Sequence, residues 1–404
     1  MDSEKLHTIL FDYVKLINAF GMKPTLPVTA TVVERHPCLF KKLQDETNVE
    51  FAVHGFRHID YSELNRHQFE EHLHRAIGVF HKHHIRFSGH RFPFLCRDNE
   101  KIQILHSSGF LWDSSDCIAW HSPRFEDVSK QRTIAYEQIL KSYQFSDSYD
   151  TVALPRKKNG ILEIPLSLPD DDILVDRLGL ALTRFAGVFD EMLRQVQSRG
   201  ELLVFQLHPE RFPWYKKSLM QVLHSIEKEN RIWKTSLDGI AAWWRERMGF
   251  QCAVDRIKND RYRISVRCSN RATVLMKNSE KLERSKPFWR SWNRVLGNQW
   301  ETSGPRKPVI GVHPDLSETV TPILRNEGFV FEIDSHPESF GVYLHPNAVQ
   351  DSENVEKQVI DAVERTSFPL IRFWRWPEAK QYAIAVSGDV DAVDLWDYFV
   401  RYHG

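Results

Sequence analysis

The 404 residues leave room for one large domain with a smaller one, or for two to three of ordinary size, and 54 Lys and Arg are matched by 54 Asp and Glu. With no long block of one sign, the charge argues against nucleic acid or an anionic membrane as partner and for a small or neutral one. Five scattered cysteines, none in a CxxC, argue against a disulfide framework and a thiolate zinc site, while the start MDSEKLHT lacks a basic, then apolar leader, so a soluble, cytoplasmic protein with no membrane insertion is expected.

In chain order, LHTILFDYVKLINAFG reads as a helix with a glycine stop, PTLPVTATVV as a strand, HPCLFKKLQDE as a helix and VEFAV as a strand. SELNRHQFEEHLHRAIGVFHKHH then reads as a helix and IRFSG as a strand. Further on come the strand GILEIPLSL, a helix around FAGVFDEMLRQVQSRG, the strand LLVFQL, and the helices LMQVLHSIEKEN and LDGIAAWWRERMG. Such alternation, with apolar strands, predicts a mainly parallel sheet covered by helices. Near residue 250 the texture changes to short antiparallel strands (QCAVDRI, YRISVRCS, ATVLMK) and then returns to an α/β rhythm. We therefore expect a first domain over 1–250, a small α/β domain of unknown role over 251–370, and a final strand and helix over 371–404.

Several stretches carry chemistry. FAVHGFRHIDY sets His54 and His58 four apart after an apolar strand; if that stretch were helical the imidazoles would share a face and could grip one metal ion. The alternative is two ordinary histidines, and Gly55 stands where HExxH chemistry would need glutamate. AIAVSGDVDA ends a strand in Asp389 and Asp391; two imidazoles and one carboxylate would leave a coordination position for water, although a solvated turn would look the same. GHRFPF offers Arg91 to hold a carboxylate and LLVFQLHPER offers His208 as a proton donor. His36, His313, His336 and His345 also precede prolines, and residue chemistry alone does not choose among them.

The set HGFRH, RFPF, EIP followed by an aspartate cluster, and LLVFQLHP resembles, in order and rough spacing, the polysaccharide deacetylase family (carbohydrate esterase family 4, the NodB homology domain). The family's first motif, a strand ending in two aspartates, normally precedes these; here it stands at the far end as AIAVSGDVDA. The resemblance, which covers about residues 5–250 and 375–404, thus implies a distorted (β/α) barrel, circularly permuted with its first strand at the C-terminus, plus a second smaller α/β domain. It implies a zinc-dependent (or other divalent-metal) hydrolase of carbon–nitrogen bonds other than peptide bonds, removing an N-acetyl group from a sugar. His54, His58 and Asp391 would be metal ligands, Asp389 the catalytic base, His208 the acid and Arg91 the motif arginine. Phe94, where the family pattern has tyrosine, would supply a backbone N–H to the oxyanion, and Asp171 is favoured among Asp170, Asp171 and Asp172 as the fourth-motif acid. Alternatives are a cyclic amide or imide hydrolase of the same superfamily and a non-catalytic carbohydrate-binding module. A homodimer exchanging the terminal strand is the rival to closure within one chain.

Overall fold

Short apolar runs cut off by glycine, proline or polar clusters become strands throughout a computed structural model that describes residues 3–126, 128–258, 260–278, 287–348 and 355–391. The chain divides into two units, Met1–Ala242 with Tyr382–Gly404, and Trp243–Gln381. No helix among the described residues is long and apolar enough to cross a membrane.

The larger unit carries β1 (Thr25–Val28), β2 (Glu50–Val53), β3 (Phe87–His90), β4 (Trp112–Asp113), β5 (Cys117–Ala119), β6 (Ser146–Asp147), β7 (Arg156–Lys158), β8 (Ile161–Glu163), β9 (Leu166–Leu168), β10 (Leu202–Leu207) and β11 (Ile232–Thr235). All their pairings with one another are parallel except β7 with β8. β4 and β5 are successive parts of one bent segment, and so are β8 and β9, joined across the bend by Ile164 N–H to the Asp113 carbonyl (2.8 Å) and Leu166 N–H to the Asp116 carbonyl (2.9 Å). Neighbours therefore run β1, β2, β3, β4–β5, β8–β9, β10, curling the sheet into the expected distorted barrel.

The smaller unit holds β12 (Gln251–Lys258), β13 (Arg261–Arg267), β14 (Val274–Lys277), β15 (Trp292–Arg294), β16 (Gln299–Ser303), β17 (Lys307–Val312), β18 (Phe331–Ile333), β19 (Phe340–Leu344) and β20 (Leu370–Phe373). Two three-stranded sheets are antiparallel, β12–β13–β16 and β15–β14–β20, and the third, β18–β17–β19, is parallel. Val254, Ile264, Met276, Val309 and Ile371 form its core, beside which buried Glu327 is clasped by Arg372 and Arg375.

The last strand among the described residues, β21 (Tyr382–Gly388), is buried at every position and belongs to the larger unit. Along one side it pairs in parallel with β10, from Ala383 opposite Leu202 to Gly388 opposite Leu207. Along the other it takes β11 for its first half and β1 at its tip, where Ser387 faces Thr25 and Val390 bridges to Val28. A strand with parallel neighbours on both sides is apolar throughout rather than alternating, which is how YAIAV reads.

Some local expectations fail for physical reasons. PTLPVTATVV is not one strand: β1 stops at Val28 and Ala30–Arg35 is helical, Ala30 and Thr31 donating to the carbonyls of Gly55 and Phe56. GILEIPLSL breaks into β8 and β9 at Pro165, which has no N–H to give a ladder. The long helix begins only at Arg66, where Asn65 and Gln68 form a reciprocal cap, and the helix predicted from Leu219 starts at Phe212 with proline in its first turn. The helix expected after β21 lies outside the described residues.

Candidate active site

The chemistry collects where the parallel strands end, the face on which barrels of this kind build their sites. Ladder bonds continue one step past each strand and fix the tips: His54 N–H reaches the Val28 carbonyl (2.9 Å), Arg91 N–H that of Val53 (3.0 Å), Asp389 N–H that of Leu207 (3.1 Å) and Val390 N–H that of Pro27 (2.8 Å). Residues two apart on an extended chain share a face, so Ser387, Asp389 and Asp391 all point inward. The tail aspartates thereby stand between the tip of β10, with His208, and the tips of β1 and β2, with His54.

The stretch from His54 to His58 is not helical. Gly55 has φ +74° and the histidines meet across a loop, their ring centroids 5.2 Å apart. Tyr61 shapes this loop: its hydroxyl accepts from Phe56 N–H (2.7 Å) and Arg57 N–H (3.3 Å), and its ring fills the space a Cβ at Gly55 would need, 2.6 Å away. The four-residue spacing thus works through a glycine turn and not through a helical face.

His54, His58 and Asp391 are buried, and ligand atoms from all three lie within 4.8 Å of one another. His54 Nε2 is 3.3 Å from Asp391 Oδ1, and His58 Nε2 is 3.3 Å from Asp391 Oδ2. His54 Nδ1, 2.9 Å from the Arg91 carbonyl, must carry a proton, which directs Nε2 at the carboxylate. Ligands about 2.1 Å from a tetrahedral ion stand roughly 3.4 Å apart, so the spacing and the donor set suit a divalent cation such as zinc. Burial acts to lower the basicity of His54, but Asp389 and Asp391 beside it outweigh that and raise its pKa, which marks the pocket as cation-seeking.

Asp389 lies 3.7 Å from His54 Nε2 and uses both oxygens: Arg91 Nη1 donates to Oδ1 (2.8 Å) and Gln206 Nε2 to Oδ2 (2.6 Å). Arg91 is fully buried and is held by Ser114, whose carbonyl accepts from Nε (2.7 Å) and whose hydroxyl accepts from Nη2 (2.9 Å). Ser387 Oγ is within 3.0 Å of Gln206 Oε1.

The three clustered aspartates separate cleanly. Asp170 Oδ1 accepts from Ile173 N–H (2.8 Å), and Asp172 pairs with Arg211 (2.6 Å). Asp171 reaches His208, its Oδ1 2.9 Å from the backbone N–H and 3.0 Å from ring Nδ1. Burial opposes a charge on His208, yet Asp171 pushes its pKa well above the ordinary histidine value, favouring imidazolium near neutrality. Phe94 is left-handed (φ +54°), and its partly exposed ring meets His58 edge-on at 4.3 Å.

All eight residues singled out from the sequence therefore stand at this end of the larger unit, whereas His313, His336 and His345 lie in the smaller one. Missed were Gln206, Ser114, Ser387 and Tyr61. The signal for Gln206 was present, a lone polar side chain inside the apolar run LLVFQL, where a buried amide needs specific partners.

Residues 5–111 match the family model for polysaccharide deacetylase, in agreement with the resemblance read from the motifs. Among solved structures, one described as a polysaccharide deacetylase from Mycobacterium smegmatis aligns at 16% identity and TM-score 0.46, over 63% of this chain and 81% of its own. Another described in those terms, from Pseudomonas aeruginosa PAO1, gives 18% and 0.45 over 59% and 72%, and the allantoinase Puue gives 20% and 0.44 over 58% and 70%. No curated protein sequence matches this chain.

Proposed function

We propose that this chain is a metal-dependent deacetylase that removes an N-acetyl group from a sugar, its barrel circularly permuted so that the family's aspartate strand arrives last. The convergence of Asp391 with His54 and His58, from opposite ends of the sequence, is the observation that carries the reading. His54, His58 and Asp391 would hold a divalent cation, which when bound would supply Lewis acidity and make a water more acidic. Asp389, fixed by Arg91 and Gln206, takes the water proton as a C–O bond forms at the acetyl carbonyl. The Phe94 N–H receives the developing oxyanion. His208, oriented by Asp171, protonates the amine as the C–N bond breaks, giving acetate and a free amino sugar. The five cysteines, all unpaired, support a reducing compartment and so a soluble or carrier-linked sugar as substrate.

Acetate release from N-acetylated sugars, with and without chelator, tests this. Asp389→Asn is expected to cut kcat by about a hundred- to ten-thousandfold while metal content holds; unchanged turnover would remove Asp389 from the mechanism, and turnover of allantoin in place of acetamido sugars would move the substrate class to cyclic amides.

A further inference from the structure

Phe94 and the next residue, Leu95, have φ of +54° and +57°. Two successive residues with a Cβ are unfavourable in the left-handed region, and such backbone persists only where its surroundings fix it. What fixes it is the bend between β4 and β5. Ser114 holds Arg91 by two hydrogen bonds, and Ser115 Oγ accepts from Phe92 N–H (2.9 Å). Asp116 takes Arg97 on one carboxylate oxygen and Lys158 on the other. Arg97, its side chain 8% exposed, reaches back with Nη1 to the Leu95 carbonyl (3.0 Å). The bend itself is anchored by buried Glu163, whose Oε1 accepts from Ser115 N–H (2.9 Å) and Asp116 N–H (2.7 Å).

Granting the deacetylation proposed above, on which this depends, we propose that Asp116 is a positioning residue. Through the fork of Arg97 it clamps the Leu95 carbonyl and so aims the Phe94 N–H at the reacting centre, without touching substrate. Lys158, on β7, shares the charge so that Asp116 stays ionised while partly buried. An anion between two cations is needed here because Arg97 alone could turn to solvent.

The test pairs kinetics with amide hydrogen exchange. Asp116→Asn should lower kcat roughly 10- to 100-fold with KM within about twofold and metal content unchanged. Exchange in the segment 92–98 should become faster, and Asp116→Glu should restore most of both. Arg97→Lys, which keeps the charge and loses the fork, should reproduce the defect and carries the test if Asp116→Asn does not fold. An unchanged kcat with unchanged exchange overturns the inference, and so does a loss in which KM rises as much as kcat falls. If the wild-type protein releases no acetate the deacetylase reading fails, while exchange in 92–98 still reports whether Asp116 holds the loop.

Discussion

Glu50 shows what a buried carboxylate costs when its company is poor. At the other end of the barrel strands it accepts from the Thr25 hydroxyl and from Asp238 N–H (2.9 Å), with Lys23 3.5 Å away. Burial first, then the charge of Asp238, pushes its pKa up to about 7. The folded chain therefore binds this proton more tightly than the unfolded one, so the group's contribution to stability falls as pH rises from about 4.5 to about 7 and is level outside that window. Glu50→Gln should stabilise the protein by on the order of 1–3 kcal/mol at pH 8 and by nothing below about pH 4.5, read from urea unfolding at both pH values; a variant less stable at pH 8 would contradict the assignment. At this scale the side chains that gather at the strand tips were legible because their types announce chemistry. The partners that orient them, Ser114 for Arg91 and Tyr61 for the histidine loop, were not, because a serine or tyrosine in a mixed stretch has many ordinary uses.

Among the elements, the turn between the histidines is the one most open to a single change. Gly55→Ala would bring a Cβ against the Tyr61 ring at 2.6 Å and force alanine into φ +74°. It should cost about 2–3 kcal/mol of stability and weaken metal uptake at least tenfold by displacing His58; calorimetric metal titration beside a thermal melt reads both, and unaltered uptake would mean that the loop does not set the ligand spacing. The strands with continuous apolar runs, VEFAV, LLVFQL and YAIAV, were legible, since burial on both faces leaves that signature. The two- and three-residue strands β4, β5, β6 and β7 were not, being too short to show any period, and PTLPVTATVV was misjudged because the turn into a helix at Ala30 is stabilised by carbonyls 25 residues further along.

At the scale of the whole molecule, the placement of β21 decides everything else. It is the middle of the sheet, between β10 and the pair β1 and β11, although it is the last strand among the described residues. No local pattern encodes that position; only the likeness of AIAVSGDVDA to the family's aspartate strand pointed to it. Because β21 pairs within its own chain, mixing Asp391→Ala protein with His54→Ala protein should recover no activity, and recovery toward a quarter of wild type or more would show exchange of the strand between chains.

The most direct measurement is titration of metal-free protein with zinc in a calorimeter. One ion per chain should bind to the wild type, and binding should be lost both in His58→Ala, near the start of the chain, and in Asp391→Ala, near its end. Undiminished binding in Asp391→Ala would contradict a cation shared between the two ends of the polypeptide.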